Sequence, residues 1–440
     1  MNVQVRLSIM MFLQFFIWGA WYVSMTGFIG AAGMDGVTGA AYTVGPIAAI
    51  IAPFFLGMVA DRFFASQRVL GALHLVGGGL LLAAPMAAAP FVLGEAPADS
   101  SIFYKVMLHD AAAYRQPFTL LLLAHMLCYM PTLGLTASLS FQNLENPEKQ
   151  FPAIRVLGTI GWIAGNLAVG LLPGADASPA QFYLAGGAAL LLGLFSFTLP
   201  HTPPPAKGKP TTIGQILGSD SLGMMKNPSY AVFIICSFLI CIPLAGYYQQ
   251  ARNFVDAVGL KINGSATTTM SFGQMSEVVF MVLMPLFFAR LGVKWMLLAG
   301  MGAWVLRYAL FALGADDHIL WMVFLGVLLH GICYDFFFVT GMIYADQRAP
   351  SDVRNQAQSF LVFVTQGLGL GIGAKVFFAH VLMNTEDGVA DWYTIWLYPC
   401  LFAAAVMVVF FLFFWDKAGA TPRTDRLDAA EAASRVEAAQ

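Results

Sequence analysis

Apolar residues run along this chain for about twenty positions at a time, give way to a short polar or Gly/Pro-containing stretch, and resume. A hydrocarbon core about 30 Å thick needs about 20 apolar residues per helix, so each run has the length of a membrane span. Twelve are predicted, over 7–33, 41–60, 69–93, 116–140, 152–173, 181–199, 229–256, 266–289, 293–314, 318–345, 355–383 and 391–415. The pattern predicts an all-α polytopic membrane protein. The first run is far longer than the ~7–15 residues of a signal-peptide core and is expected to stay as a helix.

Between the sixth and seventh runs lies HTPPPAKGKPTTIGQILGSDSLGMMKNPS, residues 201 to 229, polar and rich in Pro, Gly and Lys. It divides the chain into a six-helix bundle over 1–200, a linker over 201–228 and a second six-helix bundle over 229–416. A tail over 417–440, in which Ala alternates with charged residues, is expected to be disordered. The halves echo each other: PFFLGMVADRFFASQRVL (53–70) and PLFFARLGVKWMLL (285–298) both leave a span through Pro and Phe into a basic turn. Repeated halves are a common way for transporters to build a site at mid-membrane and expose it to each side in turn.

Charge orients the bundle, because loops rich in Lys and Arg stay in the cytoplasm. With both termini inside, the linker side carries Arg6, Arg62, Arg68, Lys149, Arg155, Lys207, Lys209, Lys226, Arg290, Lys294, Arg348, Arg354 and the tail's Lys417, Arg423, Arg426 and Arg435. Lys105, Arg115, Arg252 and Lys261 fall at or near the outer side. At 59% hydrophobic and 10% charged, the composition excludes an ordinary soluble domain, and a net charge of −2 without a basic stripe excludes nucleic acid as a partner. The five cysteines lie inside predicted spans at spacings that fit neither a disulfide framework nor a metal site. With no metal constellation, nucleophile elbow or phosphate loop, an enzyme is not expected, nor a cofactor. The Gly367, Gly369, Gly371, Gly373 series reads as close helix packing or bending.

Charged side chains at a helix centre cost about 2.5–3.5 kcal/mol each, so those retained are usually functional or paired. Four spans carry the informative ones. Gln274 and Glu277 share a face of the eighth. Gln250 and Asn253 repeat that spacing on the seventh, one turn after Tyr247 and Tyr248. On the tenth, His330, Tyr334 and Asp335 fall within about one and a half turns. The fifth opens FPAIRVLGTIGWIAGN, with Arg155, Thr159 and Trp162 in an i, i+4, i+7 stripe.

Amides donate and accept in fixed geometry, as a base edge or a ribose diol requires, and Trp162 and Tyr334 supply faces for a planar ring. This inventory favours a neutral, hydroxylated, partly aromatic solute. Other uses of the same residues stay open. Gln250 and Asn253 can bond neighbouring helices, His330 can be a satisfied structural histidine, Arg155 can snorkel as a lipid anchor, and Arg252, Arg307 and Lys375 read as structural partners or snorkelling side chains. Glu277 and Asp335 are the costliest to bury without purpose. Desolvation favours the protonated form of a carboxylate, which makes either a candidate proton carrier. A proton-coupled sugar or polyol symporter, or a solute sensor that does not transport, would draw on the same inventory.

Gly57-Met58-Val59-Ala60-Asp61-Arg62, with Arg68 after it, resembles the loop-2/3 gating signature of the major facilitator superfamily, although Ala65 and Ser66 stand where that family has a second Gly. A closer resemblance is carried by FLQFFIWGAWYVSM (12–25), YMPTLGLTASLSF (129–141), FPAIRVLGTIGW (151–162) and YDFFFVTG (334–341), which look like segments of bacterial nucleoside:H⁺ symporters. That resemblance implies a twelve-helix major facilitator fold importing nucleosides with protons across the inner membrane; a monomer is expected. It also implies that Arg155, Thr159, Gln250, Asn253, Gln274, Glu277, Tyr334 and Asp335 belong to the nucleoside site. The chain departs from the family pattern at Trp162, where a phenylalanine is expected, and at His330, where a tyrosine is expected. The outer stretch GEAPADSSIFYKVMLHDAAAYRQ, residues 94 to 116, is longer than a minimal loop and has no function assigned by pattern.

Overall fold

The computed structural model describes residues 2–55, 64–97, 99–145, 147–203, 219–349 and 354–415. These residues are overwhelmingly helical, with one short antiparallel hairpin, Thr385–Glu386 against Val389–Ala390. Among them, nine helices are long and apolar enough to cross a membrane, and Val3–Gly19 and Ala180–Ser196 are shorter apolar helices. In the first part of the chain we number α1 (Val3–Gly19), α2 (Met25–Ala31), α3 (Thr38–Phe55), α4 (Ser66–Ala83), α5 (Pro117–Asn143), α6 (Pro147–Leu171) and α7 (Ala180–Ser196). After the linker come α8 (Pro228–Ala257), α9 (Ala266–Ala315), α10 (Leu320–Leu328), α11 (His330–Tyr334), α12 (Thr340–Arg348), α13 (Arg354–Val362), α14 (Leu370–Met383) and α15 (Trp392–Phe413).

Local chemistry fixes several of these ends. Asn227 accepts from the backbone N–H groups of Ser229 and Tyr230 at 3.0 and 3.2 Å, with Pro228 in the first turn, where its missing N–H costs nothing. Ser265 caps α9 through the N–H of Thr268, and Asp391 caps α15 through that of Thr394.

Three of the predicted runs take a different form. The run 7–33 is not one helix: α1 ends at Gly19 and residues 20–24 turn before α2 begins. Hydropathy misses this turn because all five residues are buried and four of them, Ala20 to Val23, are apolar or aromatic. The runs 266–289 and 293–314 form one helical element of 50 residues, interrupted at Gly292 with φ 66° and ψ 178°. An unbroken helix of that length would be about 75 Å long, more than twice the hydrocarbon thickness. Gly292 therefore turns the chain between two spans, using a backbone region that residues with a Cβ avoid.

Helices before residue 200 pack chiefly on one another, as do those after 228, and the two sets meet where α3 lies along α14 and α6 along α9. Glycines permit the closest approaches. A Cβ on Gly161 of α6 would lie 2.1 Å from the carbonyl oxygen of Phe12 on α1. In the glycine series, Gly367 and Gly371 face Ile50 and Pro46 of α3, while Gly369 and Gly373 face Cys241 and Ile242 of α8. The alternation wedges this segment between the two helix sets, so the series serves close packing. A π-helical turn, Phe363–Gly369, runs through it, and a second, Asp335–Val339, follows α11.

The gating residues Gly57, Asp61 and Arg62, most of the linker and the tail 417–440 lie outside the described residues; Arg68 is exposed in the first turn of α4. The linker's first residues are held against α4 and α5, where Thr202 N–H donates to Gln67 at 3.0 Å and Asn143 donates to the Thr202 hydroxyl at 2.7 Å.

Candidate functional site

Gln274 and Glu277 turn into the protein on α9, with Gln274 buried and the Glu277 side chain only 12% exposed. Asp335 opens its π-helical turn fully buried. Glycines bring these elements together. A Cβ on Gly331 would lie 2.6 Å from the Ser276 backbone, and one on Gly273 would lie 3.1 Å from the His330 Cβ. The Gly331 N–H donates to the Ser276 hydroxyl at 3.0 Å, which fixes the register of α9 against α11. As a result His330 Nε2 stands 3.9 Å from Glu277 Oε2.

Aromatic rings continue the site across the boundary between the helix sets. Trp162 of α6 meets Tyr22 at 6.3 Å between centroids, Tyr22 meets Tyr248 of α8 at 5.7 Å, and Tyr248 meets Tyr247 at 6.0 Å. Tyr247 stacks on His330 at 5.3 Å and 17°, and His330 neighbours Tyr334 at 6.0 Å. Trp18 of α1 packs edge-on against Trp162 at 5.3 Å. Edge and stacked contacts of this kind hold rings rigidly, which suits a surface that must receive another planar group.

The Arg155 guanidinium lies 4.4 Å from the centroid of Phe15 on α1. Thr159 is buried one turn along α6. Gln250 and Asn253 point the same way on α8, and the Asn253 amide donates to Gln250 at 3.5 Å, the outer limit of a hydrogen bond.

Several polar atoms here are buried without a partner. Among the described residues nothing bonds Gln274 Oε1, His330 Nδ1, the Tyr247 hydroxyl or either carboxylate oxygen of Asp335. Buried polar side chains are bonded in the large majority of cases, and leaving one unmade costs about 1–3 kcal/mol. These five atoms are free to bond a group from outside the chain.

Tyr22, Trp18 and Arg307 were not selected as site residues by the sequence pattern. Trp18 and Tyr22 are four apart, a spacing that was visible but indistinguishable from helix packing. Arg307 is fully buried, donates from Nε to the Gly326 carbonyl at 3.1 Å and lies 4.1 Å from the centroid of Tyr247. It does not snorkel; it backs the ring that stacks on His330.

Comparison with known proteins places the chain in a family. A family model described as nucleoside H⁺ symporter matches residues 1–95 and 98–418. YegT of Escherichia coli strain K12 is 38% identical over 431 residues, covering 94% of each chain. The xanthosine permease of the same organism is 32% identical over 431 residues, covering 94% of this chain and 96% of the permease. The crystal structure of the nucleoside transporter NupG superposes with a TM-score of 0.79 at 28% identity, covering 95% of this chain and 100% of that one. The chain belongs to the nucleoside H⁺ symporter family of the major facilitator superfamily.

Proposed function

We propose that this family member is a multi-pass inner-membrane transporter that imports nucleosides together with protons by alternating access, and is not an enzyme. Twelve spans in a six-plus-six arrangement are the form we favour. The nine long apolar helices, the two shorter ones and the division of the 50-residue element at Gly292 support that number. An even count puts both termini on one side, and the excess of Lys and Arg on that face makes it the cytoplasmic one. The bundles are then 1–200 and 229–416, joined by the linker 201–228, and they rock about the boundary where α3 meets α14 and α6 meets α9.

The carrying observation is the convergence on that boundary of an aromatic run, Trp162 to Tyr334, with buried polar atoms that lack a partner. In this reading the rings receive the base. Gln250, Asn253, Gln274 and Thr159 bond its edge and the ribose hydroxyls, and Arg155 orients Glu277. His330, placed between Tyr247 and Glu277, shapes the pocket at a position where the family pattern has a tyrosine. Proton carriage falls to Glu277 and Asp335, the two carboxylates buried on this face of α9 and at the start of the π-helical turn. Because the halves share the site, closing one side of it opens the other, and solute and proton cross together.

The test is uptake into proteoliposomes with an imposed pH gradient across a panel of nucleosides, with free ribose and free bases as competitors. Accumulation that an uncoupler abolishes, and that nucleosides inhibit far better than ribose, is the expected result. Glu277→Gln and Asp335→Asn variants that both keep uphill, gradient-dependent uptake would overturn the assignment of the proton carriers. Stronger competition by ribose would move the substrate class to sugars.

A further inference from the structure

At the membrane face opposite the linker, two buried ion pairs cross from one helix set to the other. Asp176, in the short 3₁₀ turn Ala175–Ala177 between α6 and α7, accepts from Arg252 Nη2 at 2.9 Å, from Ser265 Oγ at 3.0 Å and from Thr267 Oγ1 at 3.2 Å. Arg252 lies near the end of α8, and the two hydroxyls stand where α9 begins. Gly27 of α2 closes over this pair, since a Cβ there would sit 2.4 Å from the Asp176 carbonyl oxygen. The second pair joins Asp110 to Lys375 of α14. Asp110 is 3% exposed and Lys375 7%, and the ammonium lies 4.7 Å from the centroid of the Tyr114 ring. Tyr114 in turn shares a hydrogen bond with Thr43 of α3, and a Cβ on Gly39 of α3 would fall 2.9 Å from Asp110 Oδ2.

Both Asp110 and Tyr114 belong to the 94–116 stretch, the segment too long for a simple connection. Buried ion pairs have a property that apolar contacts lack. Their attraction is nearly offset by the cost of removing both charges from water, so a pair and two hydrated ions are close in free energy. A contact of that kind holds while dry and lets go when water arrives. An apolar seal of the same area would oppose opening by the full cost of exposing it.

We propose that Asp110–Lys375 and Asp176–Arg252 are the two clasps of the outer gate: paired and buried while the site faces inward, parted and hydrated while it faces outward. The 94–116 stretch is the arm that carries one clasp across to α14. The proposal rests on the alternating-access reading, but its test needs no substrate.

Ala40, fully buried on α3 beside Gly39, is replaced by cysteine as a probe, and its labelling by a membrane-impermeant maleimide is timed in intact cells. The same chain without Ala40→Cys corrects for the native cysteines, and rates are normalised to protein in the membrane. Lys375→Gln and Asp110→Asn are each expected to raise the labelling rate about tenfold, because the partner left behind is an uncompensated buried charge that the outward-open state hydrates. The reciprocal swap Asp110→Lys with Lys375→Asp is expected to bring the rate back towards that of the parent. Arg252→Gln reads the second clasp in the same way. Parent-like labelling in the single variants, or a swap that labels as fast as the worse single variant, overturns the proposal. Failure of nucleoside uptake alone would count against the substrate assignment and leave this result standing.

Discussion

The outer boundary and the membrane centre treat their carboxylates in opposite ways. At the outer boundary Asp176 collects three donors from the other helix set, and Asp110 meets Lys375 directly. At the centre Asp335 has no bonded partner for either oxygen, and the Gln274 and His330 acceptors and the Tyr247 hydroxyl are likewise unmet among the described residues. Burial is similar in the two places, so burial does not separate structure from function in this bundle. What differs is how each carboxylate is met: Asp176 and Asp110 each bond a cation from the other helix set, although Asp110 Oδ2 and Arg252 Nε stay unbonded, whereas neither oxygen of Asp335 is bonded among the described residues.

The comparison breaks most visibly if the open groups prove dispensable. Glu277→Gln combined with Asp335→Asn is expected to reduce nucleoside accumulation to the equilibrium ratio, measured as internal over external label under a pH gradient, while downhill exchange persists. Next in size is removal of a satisfied partner. Arg252→Ala strands Asp176 and is expected to cost about 3–5 kcal/mol of stability, read from unfolding in mixed micelles. Burial alone would raise the Asp176 carboxyl, but the bonds from Arg252, Ser265 and Thr267 hold it below its ordinary value of about 3.9. A depressed carboxyl contributes stability that is complete above its unfolded value and is lost as pH falls through the folded one. External pH between about 5 and 8 is therefore expected to leave the contribution of this pair unchanged.

Smaller substitutions sharpen the contrast. Ser265→Ala removes one donor to Asp176 and is expected to cost about 1.5–3 kcal/mol in the same unfolding measurement. Tyr247→Phe removes a buried hydroxyl that nothing bonds among the described residues and is expected to raise stability without substrate by about 1–3 kcal/mol. Lys261→Met, which breaks the exposed Lys261–Asp256 pair at 3.0 Å on the same outer side, is expected to stay within about 1 kcal/mol and to leave uptake intact.

Much of this was legible in the sequence, and the part that was not has a physical reason. A helix repeats every 3.6 residues, so spacing alone placed Gln274 with Glu277, Gln250 with Asn253, and Arg155 with Thr159 and Trp162 on common faces. Asn227, Ser265 and Asp391 then set helix starts near the predicted limits of their runs. Periodicity says which face a residue occupies and nothing about what lies opposite. The Asp110–Lys375 pair spans 265 positions and the Asp176–Arg252 pair 76, and neither partner announces the other. The run from Trp162 through Tyr22 to Tyr248 was hidden in the same way, because aromatic residues are abundant in every span and only packing selects those that meet. The turn after Gly19 escaped because Trp21 and Tyr22 are as apolar as the helix they interrupt.

Proton movement caused by the solute itself gives the most direct test. Uridine added to lightly buffered proteoliposomes containing the full chain is expected to alkalinise the outside as protons enter with it, and the Glu277→Gln, Asp335→Asn double variant is expected to abolish that signal. Labelled uridine that enters the wild-type vesicles without any change in external pH would contradict the account.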